Sequence, residues 1–211
     1  MCLRLRSLRV ANAEQRSSFY AVPAACAEEA STSGQQLPWT ARRNTDAMIV
    51  HEGVQYRLSD VPYDGNCMFS AATAACGHGD GAGDAHALRR VVAALVGSQP
   101  PGSAATSGRV QIAMINHMPV DVSTPAAWAA HVGKDGVWGT VAELPFLAAA
   151  LDCSVHVYEA TASPSAPTQP SLRLRACAGL ESSVRPPVRL LNVGNFHFRP
   201  LVPVVRSAGE P

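Results

Sequence analysis

Tyr63-Asp64-Gly65-Asn66-Cys67-Met68-Phe69-Ser70 is the stretch on which the reading of this chain turns. Asp, Gly and Asn tolerate tight and left-handed backbone, so Asp64, Gly65 and Asn66 read as a turn. Beyond it Met68, Ala71, Ala72 and Ala75 recur at helical spacing, and Gly77 supplies a stop signal. The turn is therefore expected to deliver Cys67 to the start of a helix. There the macrodipole favours thiolate, and backbone N–H groups without intrahelical acceptors are placed to receive a developing oxyanion. That setting suits a nucleophile. A cysteine before an apolar run equally suits a small buried hydrophobe, so the choice rests on a partner elsewhere.

The rest of the composition narrows the field. A chain of 211 residues supports one good-sized core with tails, or two small domains. A net charge of +1 with 16% charged residues leaves no footprint for nucleic acid or an anionic membrane. No apolar run approaches the roughly 20 residues of a membrane span. Cys2, Cys26, Cys67, Cys76, Cys153 and Cys177 lack the paired spacings of a zinc site or a disulfide framework. The expectation is an intracellular, cytoplasmic protein with reduced thiols and neither metal nor cofactor.

Residues 1–45 carry Arg4, Arg6 and Arg9 near the start and no sustained period, so they read as a disordered leader or a transit-type segment. The folded domain is expected at 46–205, followed by a short tail at 206–211. Residues 47–62 read as one approach strand and a loop, and Gly77 to Asp84 as a mobile surface connection. Asp84 is a natural N-cap for a helix over 85–96, whose stripe is Leu88, Val91, Val92 and Leu95, with Arg89 and Arg90 on the other side. A weaker helix is expected over 110–118, stopped by Pro119. Thr140 and Glu143 form a capping box ahead of Leu144, Leu147, Ala148 and Leu151, with Pro145 near the first turn. Strands follow at 153–158, 172–176 (an edge strand), 188–193 and from Phe196 onward. Helices first and strands last argue an α+β (mixed α/β) domain, a small central sheet flanked by helices.

Among seven histidines, His197 stands apart: it follows the Gly194-Asn195 turn and lies between Phe196 and Phe198. Taken in order, five segments resemble the ovarian-tumour (OTU) family of papain-like cysteine proteases. They are Asp64 to Phe69, the helix around Leu88-Arg89, Trp138-Gly139-Thr140 with Glu143-Leu144, Val155 to Tyr158, and Asn195 to Phe198. The resemblance spans about residues 55–203. It implies a deubiquitinase with Cys67 as nucleophile and His197 as base, and Asp64 as the motif acid that shapes an oxyanion loop including Gly65 and Asn66. It also implies a narrow channel for the ubiquitin tail, which Trp138 and Gly139 could wall, although Trp138 equally suits core packing. Ubiquitin, polyubiquitin or a ubiquitin-like modifier is the implied partner of a monomeric enzyme. An inactive ubiquitin-binding module and a polyprotein-processing protease are the alternatives. One position departs from the family pattern: where many members carry Asp or Asn two residues after the histidine, this chain has Arg199, which accepts no hydrogen bond. Asn195 or Asp64 is then expected to orient the ring, unless the pair runs as a dyad, with Arg199 a bystander.

Overall fold

The structure, a computed structural model, describes residues 47–77, 82–100, 112–115, 118–121, 124–162, 170–179, 184–194 and 197–204. Where the sequence suggests a single approach strand, the chain forms a hairpin of Ala47–His51 (β1) and Val54–Leu58 (β2), in antiparallel register from Ala47↔Leu58 to His51↔Val54. The reversal is made by Glu52 and Gly53, at φ 51° and 76°. Two successive positive φ values match the right-handed twist of the strands they join.

Two further strands, Ile112–Ile115 (β3) and Met118–Asp121 (β4), pair with each other antiparallel. They replace the weak helix expected over 110–118. Ile112, Ile115 and Val120 are β-branched and favour extended backbone, and Pro119, opposite Met114, is tolerated because a two-stranded ribbon is all edge.

The main sheet holds β1 and β2 together with Val155–Ala162 (β5), Pro170–Ala178 (β6), Val188–Val193 (β7) and His197–Pro203 (β8). Its order is β1-β2-β8-β7-β5-β6, antiparallel throughout except for the parallel pair β5–β7. Successive side chains leave a strand on opposite faces, and this divides the core in two. Val155, Val157, Leu190 and Phe198 face the helices, whereas Tyr158, Leu191 and Leu201 face away and pack with Ile49, Tyr56, Leu58 and Leu172. The sheet curls over this second cluster. β1 touches β6 although they end the strand order on opposite sides, and the His51 ring meets Tyr158 edge-on at 5.2 Å.

Among the described residues the helices are Cys67–Ala75 (α1), Ala82–Gly97 (α2), Pro125–Val132 (α3) and Leu144–Leu151 (α4), the last preceded by a 3₁₀ turn at Val141–Glu143. α1 is the central one. Its Met68, Phe69, Ala71 and Ala72 are fully buried, and it packs on β8, β7 and α2. The two alanines let the helix approach the strands closely. α2 begins before Asp84, which lies in its first turn rather than at the cap, where a carboxylate still complements the dipole. α3 has no counterpart in the sequence reading, although its start signal is present: Thr124 accepts a hydrogen bond from the Ala127 N–H at 3.1 Å, and Pro125 occupies the first turn. The Thr140–Glu143 capping box forms as expected, and Pro145 falls in the opening turn of α4. Glu143 reaches further than a cap: its Oε1 also accepts from the Trp128 indole N–H at 2.7 Å, which ties α3 to α4 inside the core.

Candidate active site

Cys67 is the first residue of α1 and is 2% exposed. Asp64 shapes the approach: its Oδ1 accepts the Asn66 N–H at 2.9 Å, an Asx turn, and Gly65 between them sits at φ 82°. The Asn66 carbonyl accepts the N–H groups of Phe69 and Ser70, each at 2.9 Å. The N–H groups of Cys67 and Met68 are left over and point at the Cys67 sulfur, as does the Phe198 N–H from β8. The Asn66 N–H, already given to Asp64, is not among these donors, which corrects the expectation that the whole turn faces an oxyanion. A second expectation also changes. Burial pushes the Cys67 thiol up, and the Asp64 carboxylate adds to the shift; together they outweigh the three N–H groups. The helix start supplies donors without making a thiolate by itself.

His197 opens β8 and is 7% exposed. Its Nε2 lies 3.9 Å from Asp60 Oδ1, and its buried Nδ1 has no hydrogen-bond partner. Burial pulls the imidazole down, with Asp60 opposing and Arg199 reinforcing that shift. The Tyr63 ring covers the imidazole at a centroid distance of 4.7 Å and meets Trp138 edge-on at 5.0 Å. The acid facing the ring is thus Asp60, which sequence reasoning missed. Asp64 is engaged by the turn, although its charge reaches His197, and Asn195 lies outside the described residues.

Arg199 is no bystander. It is 3% exposed, donates from Nε to the Ser59 carbonyl at 3.2 Å, and holds the same nitrogen 3.6 Å from Asp60 Oδ1. The antiparallel pairing explains the meeting: Leu58 lies opposite Leu201, so the chain just past β2 runs alongside Pro200 and Arg199. No motif in the sequence announces that register.

Arg89 also overturns its expected place on the outer face of α2, being 2% exposed. Nε donates to Asn66 Oδ1 at 2.9 Å, Nη2 to the Gly65 carbonyl at 2.8 Å, and Nη1 to the Val132 carbonyl at 2.7 Å. Nη2 donates to the Val137 carbonyl as well, and the guanidinium lies 4.4 Å from the centre of the Phe69 ring. Asn66 Nδ2 in turn donates to Asp135 Oδ1 at 2.9 Å. A Cβ on Gly65 would stand 1.9 Å from the Gly136 carbonyl oxygen, so turn and strap touch backbone to backbone. Segment 132–138 is thereby fastened onto the cysteine turn. That is what puts Trp138, half-buried, beside Tyr63 rather than in the core. Gly139 lies against Met68, where a Cβ would come within 2.3 Å of the methionine Cε.

The geometry brings Cys67, His197, Asp64, Gly65, Asn66 and Trp138 into one region and adds Asp60, Tyr63, Arg89 and Arg199. The region holds parts that acyl transfer would use: a thiol with N–H donors, an imidazole with one nitrogen unpartnered, and an acid facing that imidazole. Among the described residues no group of three or more His, Cys, Asp or Glu could hold a metal ion.

No protein-family profile and no curated protein sequence matches the chain. Solved structures do. The viral OTU domain protease of Taggert virus superposes at TM-score 0.54 with 16% identity, covering 77% of this chain and 88% of that one. The Hazara virus OTU bound to ubiquitin gives 0.51 and 16%, over 76% and 89%. An OTU deubiquitinase of Wolbachia pipientis wMel bound to ubiquitin gives 0.50 and 17%, over 70% and 96%. In its architecture, the chain has the fold of the ovarian-tumour (OTU) domains.

Proposed function

We propose that the chain is a cysteine-type deubiquitinase that hydrolyses the bond between the ubiquitin C-terminus and an amine. The observation that carries the reading is the partnerless Nδ1 of His197, on the residue next to the Phe198 whose N–H meets the Cys67 sulfur. Structures of the same fold from Hazara virus and Wolbachia are bound to ubiquitin, which supports ubiquitin as the substrate.

In this mechanism Nδ1 of His197 takes the Cys67 proton as the sulfur attacks the scissile carbonyl. Leftover N–H groups at the helix start receive the oxyanion. The imidazolium, steadied at Nε2 by Asp60, protonates the leaving amine, and a thioester to Cys67 remains. Water gives a proton to Nδ1 as its oxygen attacks the thioester carbonyl; the S–C bond then breaks, the ubiquitin C-terminus leaves as the acid, and the imidazolium returns its proton to Cys67. A raised thiol and a lowered imidazole both favour the neutral pair at rest. Tyr63 and Trp138, meeting edge-on, offer an aromatic corner beside His197 that suits a tail without side chains.

The same neutral pair is what would favour an inactive ubiquitin-binding module. One experiment separates the two: the full chain is treated with a ubiquitin C-terminal electrophile and with a ubiquitin C-terminal fluorogenic amide. The enzyme reading expects an adduct on Cys67, absent in Cys67→Ala, together with turnover. Binding of ubiquitin without adduct or turnover would support the module, and an adduct on another cysteine would overturn the assignment.

A further inference from the structure

β5 lies between β6 and β7, and its His156 stands opposite Cys177 of β6 on one side and Arg189 of β7 on the other. Register partners leave a sheet on the same face, with Cβ atoms about 4.5–5.5 Å apart across an antiparallel pair. Their chain neighbours fix which face. Ala176 and Ala178, Val155 and Val157, and Val188 and Leu190 all pack in the main core, so Cys177, His156 and Arg189 leave the sheet on the side away from the helices. A thiol, an imidazole and a guanidinium therefore form a row across three strands. All three residues are half-buried, so small solutes reach the row, and Cys177 is in no disulfide. The Nδ1 of His156 lies 3.5 Å from the Tyr158 hydroxyl. Burial and the Arg189 charge pull the imidazole below its ordinary value, so it is a neutral proton acceptor at pH 7. This row is not the active site. Val193, the partner of His197, is four residues beyond Arg189 on β7, roughly 13 Å at ~3.3 Å per residue, and Cys177 is two strands further out.

We propose that Cys177 is a second reactive thiol, a modification site that a small disulfide converts into a reversible mixed disulfide, with His156 as the base that activates it. The Cys177 sulfur attacks one sulfur of the disulfide while the imidazole takes the thiol proton. A new S–S bond forms as the old one breaks. The departing sulfur accepts that proton from the imidazolium and leaves as a thiol, so Cys177 is oxidised and the departing half of the disulfide is reduced. Negative charge is spread over the sulfurs in passing, and the Arg189 guanidinium in the same row offsets it. A dithiol reductant runs the exchange backward. The inference is independent of the proposed hydrolase activity.

The test treats the full chain at pH 7 with glutathione disulfide, quenches with acid, and maps the adducts by non-reducing peptide mass spectrometry. The expected product is a mixed disulfide on Cys177. It should form roughly tenfold faster in the native chain than at the same cysteine in urea, where the thiol keeps its ordinary pKa and has no base beside it. Dithiothreitol should remove it. His156→Gln and, separately, His156→Asn should lower the native rate roughly tenfold and leave the rate in urea unchanged, with circular dichroism checking that each variant is folded. A native chain without adduct on Cys177, a native rate within threefold of the rate in urea, or an unchanged native rate in a folded His156 variant would each overturn the proposal. Should neither variant fold, the ratio of native to urea rates in the parent chain decides by itself.

Discussion

Replacing Arg89 with methionine keeps the unbranched stem and removes every guanidinium donor. The loss falls on four acceptors in two segments: the Gly65 carbonyl and Asn66 Oδ1 in the cysteine turn, and the Val132 and Val137 carbonyls in the strap. Each buried acceptor left without a partner costs about 1–3 kcal/mol. Four such costs do not simply add, because residues 133–136 are exposed and water reaches part of the strap. The Gly65 carbonyl and Asn66 Oδ1 carry most of the loss, so about 3–5 kcal/mol is expected in all. At about 2–4 °C per kcal/mol for a domain of this size, the melting temperature should fall by roughly 6–20 °C. Function should fall further than stability. Two of the four acceptors fix the backbone beside Cys67, and misplacing a reacting group by about 1 Å costs on the order of a hundredfold in rate. Arg89→Lys should recover less than half of either loss, since a point charge cannot span four acceptors. The assays are thermal unfolding followed by circular dichroism, and single-turnover hydrolysis of a ubiquitin C-terminal amide at a temperature where the variant is folded. If Arg89→Met melts within about 2 °C of the parent chain and keeps its turnover, the clamp is not what holds the turn.

Asp60→Ala should lower hydrolysis by about ten- to a hundredfold, or ~1.4–2.7 kcal/mol of barrier, with His197→Ala abolishing it. Arg199→Ala should reproduce most of the Asp60 loss, since it releases the loop that carries the acid; full activity in a folded Arg199→Ala chain would contradict the assignment. Alkylation of Cys67 by iodoacetamide should climb with pH and show no plateau below about pH 7, because the thiol is raised and only its anion reacts. A rate already level at pH 6 would mean a preformed ion pair. Gly65→Ala should abolish hydrolysis and destabilise the fold, since a methyl group at φ 82° would meet the Gly136 carbonyl. A chain starting near residue 46 should keep its melting temperature and its hydrolysis, because the leader shows no apolar period; loss of either would bring residues 1–45 into the domain.

What could be read from sequence was whatever local chemistry decides. The turn before Cys67, the Thr140–Glu143 box and the 188–193 strand all follow from neighbours a few residues apart. Asp60 did not announce itself, because its place beside His197 is set by the register of β2 against β8, more than a hundred residues along. Arg89 was closer to legible. It falls on one helical face with Ala85, Val92 and Val96, all buried, and a cation inside such a stripe signals a buried clamp. The hydrophobic spacing of Leu88, Val91 and Leu95 hid it. The thiol's direction was out of reach for a different reason: a helix start argues for the anion, and only the burial of Cys67 shows how strongly desolvation opposes it.

The sheet order has a consequence for biosynthesis. Among the described strands β8 comes last off the ribosome, yet it occupies an interior place between β2 and β7. Until it emerges, the hairpin of β1 and β2 and the β7-β5-β6 unit cannot join, and each presents an open edge of unpaired N–H and carbonyl groups. Because His197 arrives on that same strand, the histidine joins Cys67 only as the two halves close. A nascent chain stalled before residue 197 is therefore chemically silent but adhesive, and protection from a chaperone is needed most in that interval.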